Sequence, residues 1–298
     1  MGEGKGSLYV VATPIGNLND VSPRALEVLR AVALILAEDT RHSRKLLQRY
    51  GIEVPTLSFH KFNERDRTEE VLHRILIDGI DVAIITDAGT PCISDPGVEI
   101  VRRARDSGVP VYGISGPSAI ATAVSVSGLP SSEFTFLGFL PRGSGDLEQA
   151  LHGIRERRIS TFVVYESPKR VRALAAAILE EFPQARACFC CELTKIHERS
   201  YYGPIDEVVA QLDSDPMAER GEYTVVVHVD YDEPGGTGAI PGTGKQLSPE
   251  ARLVQAMVDH GCSVREAARI VAEETGLSRN ELYQAGLRLR SFMTPGES

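Results

Sequence analysis

The sequence predicts an α/β fold with parallel strands, and two observations support this prediction. Short apolar runs alternate with helix-like stretches over the first 130 residues, which is the pattern of strand–helix–strand units. Loops rich in polar and turn-forming residues follow the apolar runs, four of them at residues 13–20, 38–41, 87–97 and 115–118. Because ligands bind beyond the carboxyl ends of strands in such sheets, we expect these four loops to face one crevice.

Local signals place the elements of this first region, residues 1–130. Ser22 and Pro23 are typical of an N-cap and a first-turn proline, and Gly51 ends the next helix. Asp66, with Glu69 three residues later, indicates a capping pair that opens the third helix. Strands are expected at residues 8–12, 33–37, 54–60, 82–86 and 109–114.

The rest of the chain predicts three further segments. Residues 131–230 are expected to form a second α/β domain with a mixed sheet, because successive strand patterns occur near residues 200 and 223. Residues 231–247 are dominated by Gly, Pro and Thr and predict a linker. Residues 248–298 predict a helical extension with serine caps and a helix-turn-helix pattern, its helices at 248–260, 263–275 and 278–290.

The loop at residues 87–97 is the most unusual stretch of the chain. It has the sequence DAGTPCISDPG and follows a fully apolar run. A strand needs only a few residues to reach its next helix, so this length and composition exceed what a simple connection requires. The pattern predicts a loop that holds a ligand, and a long, rigid surface turn is the alternative.

Composition limits the class of protein. The chain has 298 residues, enough for roughly two domains, with 42% hydrophobic and 24% charged residues. No run approaches the ~18 apolar residues of a membrane span, and the N-terminus does not resemble a signal peptide. We therefore expect a cytoplasmic protein that does not associate with a membrane. The net charge of −9 disfavours a surface coated with phosphate-binding groups but allows a local basic patch.

No metal site is expected from the five cysteines. Cys188, Cys190 and Cys191 crowd a strand-like stretch, without a CxxC pair or a histidine at metal-ligand spacing. Buried thiols that pack as small apolar groups are the preferred interpretation.

Three polar clusters are candidates for a functional site, each with a plain alternative. A basic stripe on one predicted helix, formed by Arg41, Arg44, Lys45 and Arg49, could bind an anionic partner or be an ordinary solvated face. A histidine loop at residues 60–65 could contact substrate or close a turn, and residues 192–195 place a carboxylate and an amine after a strand, where surface ion pairs are common.

Eight motifs occur in order along the chain: TPIGNLND, AEDTRHS, SFHKFNE, TDAGTPCISDPG, GPSA, GFLPR, YESPKR and ELTK. From about Leu8 to Val229 the chain therefore resembles the bacterial methyltransferases of small-subunit ribosomal RNA, within the tetrapyrrole-methylase-like superfamily. The C-terminal helices resemble the helix-turn-helix-like extension of that family. TDAGTPCISDPG and AEDTRH are the specific part of the resemblance, since the broader superfamily shares only the loop positions.

The resemblance implies two α/β domains with a cleft between them, S-adenosylmethionine as the methyl donor, and a homodimer. It implies a cytidine 2′-hydroxyl in the decoding region of 16S rRNA as the acceptor, with the rRNA or the 30S subunit as partner. Relatives in the superfamily often have Gly-Asp-Pro where this chain has Gly89-Thr90-Pro91, without the acid. The positions implied to contact the donor are Pro14, Gly89, Thr90, Pro91, Ile93, Ser118, Ala119, Glu166 and Thr224.

Methyl transfer from a sulfonium requires alignment and removal of a hydroxyl proton, and it needs no metal. Lys195, with Glu192 nearby, is the first candidate for the catalytic base or its electrostatic partner, and Asp39 is the second. The basic stripe, Phe62 and the YESPKR cations are expected to suit single-stranded RNA. The predicted substrate contacts are Arg41, His60, Asn63 and Glu64.

Two other functions are compatible with parts of the sequence. A tetrapyrrole (porphyrinogen) C-methyltransferase would share the donor loop, although the basic helix and the C-terminal helices favour RNA. A ligand-sensing DNA-binding regulator would use the helix at 278–290, which carries three arginines. The nearly balanced charge of the three helices disfavours the regulator.

Overall fold

The computed structural model describes residues 5–231 and, towards the C-terminus, residues 253, 256–257, 262–275, 277–280 and 282–286. The chain divides into two compact units, Met1–Val229 and Asp230–Ser298. The predicted linker at 231–247 lies outside the described residues except for Tyr231. The predicted boundary near residue 130 falls within the first unit, between its two sheets, and stays a prediction.

The first sheet consists of parallel strands, as the alternating pattern predicts. Its strands are β1 (Leu8–Val11), β2 (Leu34–Ala37), β3 (Thr56–Ser58), β4 (Val82–Ile85) and β5 (Val111–Ile114). They lie in the order β3–β2–β4–β1–β5, and Leu8 pairs with both Val82 and Val111. The carboxyl ends of all five strands therefore meet at one edge, which is where the four polar loops begin.

Helices cover both faces of this sheet. They are α1 (Pro23–Ala31), α2 (Thr40–Arg49), α3 (Glu64–Ile77), α4 (Val98–Asp106) and α5 (Ala119–Val126). Leu34 and Leu36 of β2 pack in one apolar cluster, whereas Ile35 and Ala37 pack in the other. A strand that is buried on both faces reads as an unbroken apolar run, which explains why no polar alternation marks these strands.

The helix starts are mostly those that the local signals predict. The Ser22 side chain accepts the Ala25 N–H at 3.1 Å, with Pro23 in the first turn. The prediction that α3 opens at the Asp66 pair is wrong, because α3 begins at Glu64. The backbone N–H of Glu64 already bonds to His60 O at 2.9 Å, so the turn before the helix nucleates it two residues earlier.

The second sheet is mixed. Its strands are β6 (Thr135–Phe139), β7 (Thr161–Glu166), β8 (Arg186–Cys191), β9 (Arg199–Pro204) and β10 (Tyr223–His228). In the order β6–β7–β10–β8–β9, only the β6–β7 pair is parallel. Its helices are α6 (Ser144–Glu156), α7 (Val171–Glu181) and α8 (Ile205–Ser214). The three cysteines of β8 are buried and free, which confirms the interpretation as packed thiols.

The C-terminal unit has its own small core. Helix α9 (Val264–Thr275) lies within the predicted 263–275 span. Ser263 Oγ accepts the Glu266 N–H at 3.4 Å while Glu266 Oε2 accepts the Ser263 N–H at 3.0 Å, which is a capping box. Leu253, Val271 and Leu282 are buried in one cluster, so the three helical segments pack together. The predicted helix ends at 248–252 and 287–290 lie outside the described residues.

Candidate active site

Loop 87–97 is anchored on the loop that follows β1. Thr13 and Gly89 form an isolated antiparallel bridge, with backbone N···O distances of 2.8 and 3.1 Å. Thr13 Oγ1 also donates to Thr86 O at 3.0 Å. Gly89 has a φ of +85°, a conformation that favours glycine. Two of the four polar loops are thus joined at the carboxyl edge of the first sheet.

Glu64 holds the far end of the same loop. Its Oε1 accepts the N–H groups of Gly97 and Glu99, at 2.9 and 3.1 Å, at the start of α4. A carboxylate at a helix N-terminus satisfies free N–H groups and interacts favourably with the helix dipole. The structure therefore gives Glu64 a supporting role in the loop, and substrate contact by Glu64 stays a prediction.

Left-handed backbone at non-glycine residues concentrates in two loops. In the described part of the chain it occurs at Cys92 (φ +70°) and Ser94 (+66°) in loop 87–97, and at Glu192 (+56°) and Thr194 (+66°) after β8. The one other case is Arg158. Each such residue costs of order 1–3 kcal/mol and persists where the surrounding structure holds it, most often at functional sites.

A cavity of about 530 Å³ opens over loop 87–97, and we call it the first cavity. Seven of the nine positions that the resemblance implies for donor contact line it: Gly89, Thr90, Ile93, Ser118, Ala119, Glu166 and Thr224. They come from both sheets, and the structure brings them together. Pro91 is buried within the loop and does not line the first cavity, and Pro14 lines a neighbouring cavity.

The first cavity has an acidic wall. Burial raises the pKa of Asp95 to about 6, against a hydrogen bond from Thr86, and the charges of Glu38 and Asp87 add to the increase. Burial also raises the pKa of Asp87, and the backbone N–H of Asp39 opposes it. Thr86 Oγ1 donates to Glu38 Oε2 at 2.8 Å. Carboxylates that raise one another's pKa favour a cationic ligand.

The opposite wall is aromatic and comes from the second sheet. The Tyr165 ring lies 5.5 Å from the Phe139 ring, centroid to centroid. Burial and the Asp95 charge raise the pKa of Tyr165 to about 12, so its phenol is neutral. Glu166 is buried beside it, and its Oε1 accepts the Ser167 N–H at 2.7 Å. Glu166 Oε2 lies 3.1 Å from Arg170 Nη2, close enough for charge attraction but too poorly aligned for a hydrogen bond.

A second cavity of about 510 Å³ adjoins the first. The two share a wall made of Ile15, residues 86–88 and Glu222. Residues that line only the second cavity include Pro14, His42, Lys45 and Lys195. The second cavity therefore has two lysines and a histidine beside the shared acids Asp87 and Glu222, whereas no Lys, Arg or His is among the described lining residues of the first cavity.

Lys195 is held between two carboxylates. Its Nζ donates to Glu192 Oε1 and to Glu222 Oε2, each at 2.8 Å. Burial lowers the pKa of Lys195, but these two bonds outweigh it and leave the pKa above its ordinary value. For Glu192, burial raises the pKa, while bonds from Lys195 and the Glu222 N–H outweigh it and lower the pKa overall. The geometry therefore favours the electrostatic role given as the alternative for Lys195 over that of a base.

Asp39 forms an ion pair with Arg41. Its Oδ1 accepts the Arg41 N–H at 2.8 Å, its Oδ2 lies 3.0 Å from Arg41 Nη2, and these bonds lower the pKa of Asp39 to about 2. So low a pKa makes a carboxylate a weak proton acceptor. The Arg41 side chain is otherwise exposed beside the other cations of the stripe, where it is available to an anionic partner.

The His60 loop lies outside both cavities. Asn63 Oδ1 accepts the His60 N–H at 2.8 Å, and Asn63 Nδ2 donates to Ser58 O at 3.1 Å, so Asn63 closes the turn. The Nδ1 atom of His60 is buried without a hydrogen-bond partner among the described residues. Phe62 next to it is 97% exposed. Substrate contact by His60 and Asn63 stays a prediction.

Several residues of the site were not singled out from the sequence. Asp87, Asp95 and Glu38 stand in the motifs, but only the fold shows that their carboxylates share one wall. Phe139 is the last residue of β6, in GFLPR, and Tyr165 is the last but one of β7, in YESPKR. An aromatic residue near a strand end was therefore a signal that the sequence offered. His42 lies one residue from Arg41 and gave no separate signal.

Within the part of the chain that the structure describes, no group of three or more His, Cys, Asp and Glu side chains could hold a metal ion. No helix there is long and apolar enough to cross a membrane.

Comparison with known proteins identifies the class. The profile of the tetrapyrrole (corrin/porphyrin) methylases matches residues 7–209, and that of the RsmI C-terminal HTH domain matches residues 248–290. Solved structures share the fold. Uroporphyrin-III C-methyltransferase from Thermus thermophilus matches with a TM-score of 0.51 at 20% identity, over 75% of this chain and 97% of that one. Diphthine synthase matches with a TM-score of 0.55 at 12% identity, over 74% and 89%. The profile match over residues 7–209 shows that the chain belongs to the tetrapyrrole methylase class, and the solved structures share its fold.

Closer relatives narrow the class to one family. The enzyme named ribosomal RNA small subunit methyltransferase I from Pseudomonas aeruginosa is 41% identical over 284 residues, covering 95% of this chain and 97% of its own. The protein of that name from Escherichia coli O157:H7 is 37% identical over 286 residues, covering 95% of each. The chain belongs to the family of ribosomal RNA small subunit methyltransferase I, which confirms the resemblance seen in the motifs.

Proposed function

We propose that this chain transfers a methyl group from S-adenosylmethionine to the 2′-hydroxyl of a cytidine in the decoding region of 16S rRNA. The observation that supports this most directly is the acidic first cavity, in a chain whose relatives are named for ribosomal RNA. The cytidine and its 2′-oxygen come from the family resemblance.

The residues of the first cavity fit the donor. Ligand pockets usually enclose roughly 300–1,000 Å³, and this cavity falls within that range. The donor carries positive charge, which the carboxylates of Glu38, Asp87 and Asp95 would balance. Tyr165 and Phe139 offer a flat apolar wall for its adenine, and Gly89 lets the backbone approach closely. When bound, the donor supplies a methyl group already activated by the sulfonium.

The chain's own residues align the partners and exclude water. Loop 87–97 is fixed at Thr13 and at Glu64, so the cavity floor is ordered before a ligand enters. Holding reacting atoms in place can supply several kcal/mol of the barrier reduction. Lys195, held as a cation between Glu192 and Glu222, would stabilise negative charge that develops on the acceptor oxygen.

The basic stripe on α2 supplies the RNA contact in this proposal. All four of its cations are exposed, and Lys45 among them lines the second cavity. Phosphate contacts of this kind give affinity that depends strongly on salt. The exposed Phe62 ring would stack on an unpaired base. We also propose that the protein is a homodimer and that it is cytoplasmic. A molar mass from light scattering equal to twice that of one chain would support the homodimer.

The test uses donor labelled in the methyl group and three separate acceptors: 30S subunits, naked 16S rRNA and a porphyrinogen. We expect label in the RNA, in a dinucleotide that resists alkali because its 2′-oxygen is methylated. Label found only in the porphyrinogen would favour the tetrapyrrole alternative and contradict the proposal. Binding to duplex DNA with no transfer to any acceptor would favour the regulator.

A further inference from the structure

We propose that the second cavity receives the acceptor nucleotide and that Asp87, in the wall between the two cavities, takes the proton from its hydroxyl. This inference rests on the proposed function. It assigns the acceptor to a particular cavity and the base to a residue other than Lys195, Glu192 and Asp39.

The position of the second cavity is the first argument. It shares Ile15, residues 86–88 and Glu222 with the first cavity, so molecules in the two would meet across one wall. Methyl transfer requires the acceptor oxygen in line with the donor bond, which is possible only from an adjoining space. At about 510 Å³ the cavity lies in the range for one nucleotide taken out of an RNA stack.

The lining of the second cavity suits a nucleotide. Lys45 and His42 project from α2 and can meet a phosphate, while Leu18 and Leu46 provide an apolar surface for a base. Lys45 also belongs to the exposed basic stripe, so the cavity is continuous with the surface proposed to bind RNA. The first cavity, with its acidic wall, would repel the same phosphate.

Asp87 has the contacts that a base requires. It is half-buried and lines both cavities. Its Oδ1 accepts the Asp39 N–H at 3.2 Å, and within residues 5–231 its Oδ2 makes no hydrogen bond. Burial holds the pKa of Asp87 above its ordinary value, which strengthens it as a proton acceptor. By contrast, Asp39 and Glu192 have lowered pKa values and Lys195 is protonated.

The step balances as follows. The 2′-oxygen forms its bond to the methyl carbon as the bond from that carbon to sulfur breaks, and the electron pair of the broken bond stays on sulfur. The hydroxyl proton passes to Asp87 Oδ2 and then to water. The products are the 2′-O-methylated nucleotide, a neutral thioether and one released proton.

The first test separates the two cavities. Leu18→Trp narrows the second cavity and Lys45→Ala removes one of its cations. Arg24→Ala is the control, because it removes an exposed cation of α1 that lines neither cavity and lies outside the basic stripe. We expect Leu18→Trp and Lys45→Ala to raise the KM for 30S subunits at least tenfold and to weaken binding of 30S subunits by the donor-free protein. Arg24→Ala should change both less than threefold, and donor affinity by calorimetry should be unchanged in all three.

Two results would overturn the assignment of the cavity. Weaker donor binding in Leu18→Trp or Lys45→Ala would show that the donor extends into the second cavity. An unchanged KM and unchanged subunit binding would show that the acceptor lies elsewhere. Failure of the wild-type protein to methylate RNA at all would instead refute the proposed function, so the two failures are distinguishable.

The second test concerns Asp87. Asp87→Asn keeps an oxygen for the Asp39 N–H and removes the base, so we expect kcat at saturating donor and acceptor to fall at least a hundredfold, more than the loss of one donor-balancing charge produces in Asp95→Asn. The wild-type kcat at saturating donor should rise with pH to a plateau, and the variant should lose this rise. Asp87→Glu should recover part of the activity. A kcat for Asp87→Asn within threefold of wild type would overturn the role.

Other titratable groups surround Asp87 and need a control. His42 faces it from α2, and Glu38 and Asp39 face it from the turn after β2. Asp95 lies in the same loop, Glu222 lines both cavities and Lys195 lines the second. His42→Gln removes the imidazole that lines the second cavity, and Asp95→Asn removes the neighbouring carboxylate whose pKa is raised to about 6. The rise of kcat with pH should persist in both variants at saturating donor, and its loss in either one would assign the rise to that residue.

Discussion

Single residues of the site are arranged for ligand binding at the expense of local stability. Asp95 lies in a wall with Glu38 and Asp87, and burial with these charges raises its pKa to about 6. A carboxylate that resists ionisation in the folded chain destabilises that chain at neutral pH unless a cation arrives. The left-handed Cys92 and Ser94 add strain in the same loop.

Replacing Asp95 with Asn should therefore stabilise the donor-free protein and weaken donor binding. The folded-state pKa lies above the ordinary 3.8, so the favourable contribution of this group is complete below about pH 3.8 and is lost as the pH rises through about 6. After allowance for solvent screening of the part-exposed group, we expect a gain of about 1 kcal/mol at pH 7.5 and none at pH 4. Urea unfolding at the two pH values measures this.

The exposed Glu53→Gln is the matched control for Asp95→Asn and should change neither unfolding nor binding. Calorimetry should show about tenfold weaker donor binding for Asp95→Asn. Equal stability of variant and wild type at pH 7.5, together with unchanged donor affinity, would contradict this account of the acidic wall.

Gly16 allows Lys195 to reach its carboxylates. A Cβ added at Gly16 would lie 2.4 Å from Lys195 Cγ, so Gly16→Ala should displace the Lys195 side chain. We expect kcat to fall about tenfold with donor affinity unchanged, because an ammonium moved from its place stabilises charge less well. Gly153→Ala, where an added Cβ meets nothing within 4 Å, is the control and should retain full activity. Normal kinetics for Gly16→Ala would argue against a role for Lys195.

At the scale of elements, loop 87–97 acts as a rigid connection between β4 and α4. The strand before it is fully buried, the bridge to Thr13 fixes its first half, and Glu64 on α3 fixes its end. The loop is thus held by β4, by the loop after β1 and by α3, which explains how a segment with two left-handed non-glycine residues keeps one conformation.

Glu64→Ala should loosen this connection. It leaves the Gly97 and Glu99 N–H groups without their acceptor and removes an anion from the start of α4, so we expect a loss of about 1.5 kcal/mol in the free energy of unfolding. Donor binding should weaken several-fold as well. Glu70→Ala, which removes only an exposed partner of Arg67, should cost less than about 0.5 kcal/mol. Similar losses for the two variants would show that Glu64 is an ordinary surface acid.

At the scale of the molecule, the two compact units have separate cores. The residues of both cavities all belong to the first unit, between Thr13 and Thr224. The C-terminal unit buries its own cluster around Leu253, Val271 and Leu282. This separation allows the units to carry different tasks.

Deleting residues 232–298 should therefore leave donor affinity within threefold of the full chain. We expect binding to 30S subunits to weaken about tenfold, because the C-terminal helices are predicted to help dock the particle. In the full chain, Arg279→Ala tests the exposed side of these helices without a deletion. Unchanged methylation and unchanged subunit binding in the truncated protein would remove this role.

Much of the fold and part of the site could be read from the sequence, because their signals are local. Apolar runs, caps and the motif order predicted the first sheet. The resemblance implied nine positions for donor contact, and seven of them line the first cavity. The start of α3 was misplaced because a backbone bond from Glu64 to His60 outweighed the Asp66 pair. A backbone hydrogen bond of that kind requires no particular side chain and therefore leaves no mark in the sequence.

By itself the sequence determined the elements, the family and the loop that forms the floor of the first cavity. Only the tertiary structure decided which charges meet: that Lys195 is held as a cation, that Asp39 is neutralised by Arg41, and that Asp87 stands between two cavities. The physical reason is that a pKa depends on burial and on neighbours a few ångströms away, and these neighbours come from strands distant in sequence.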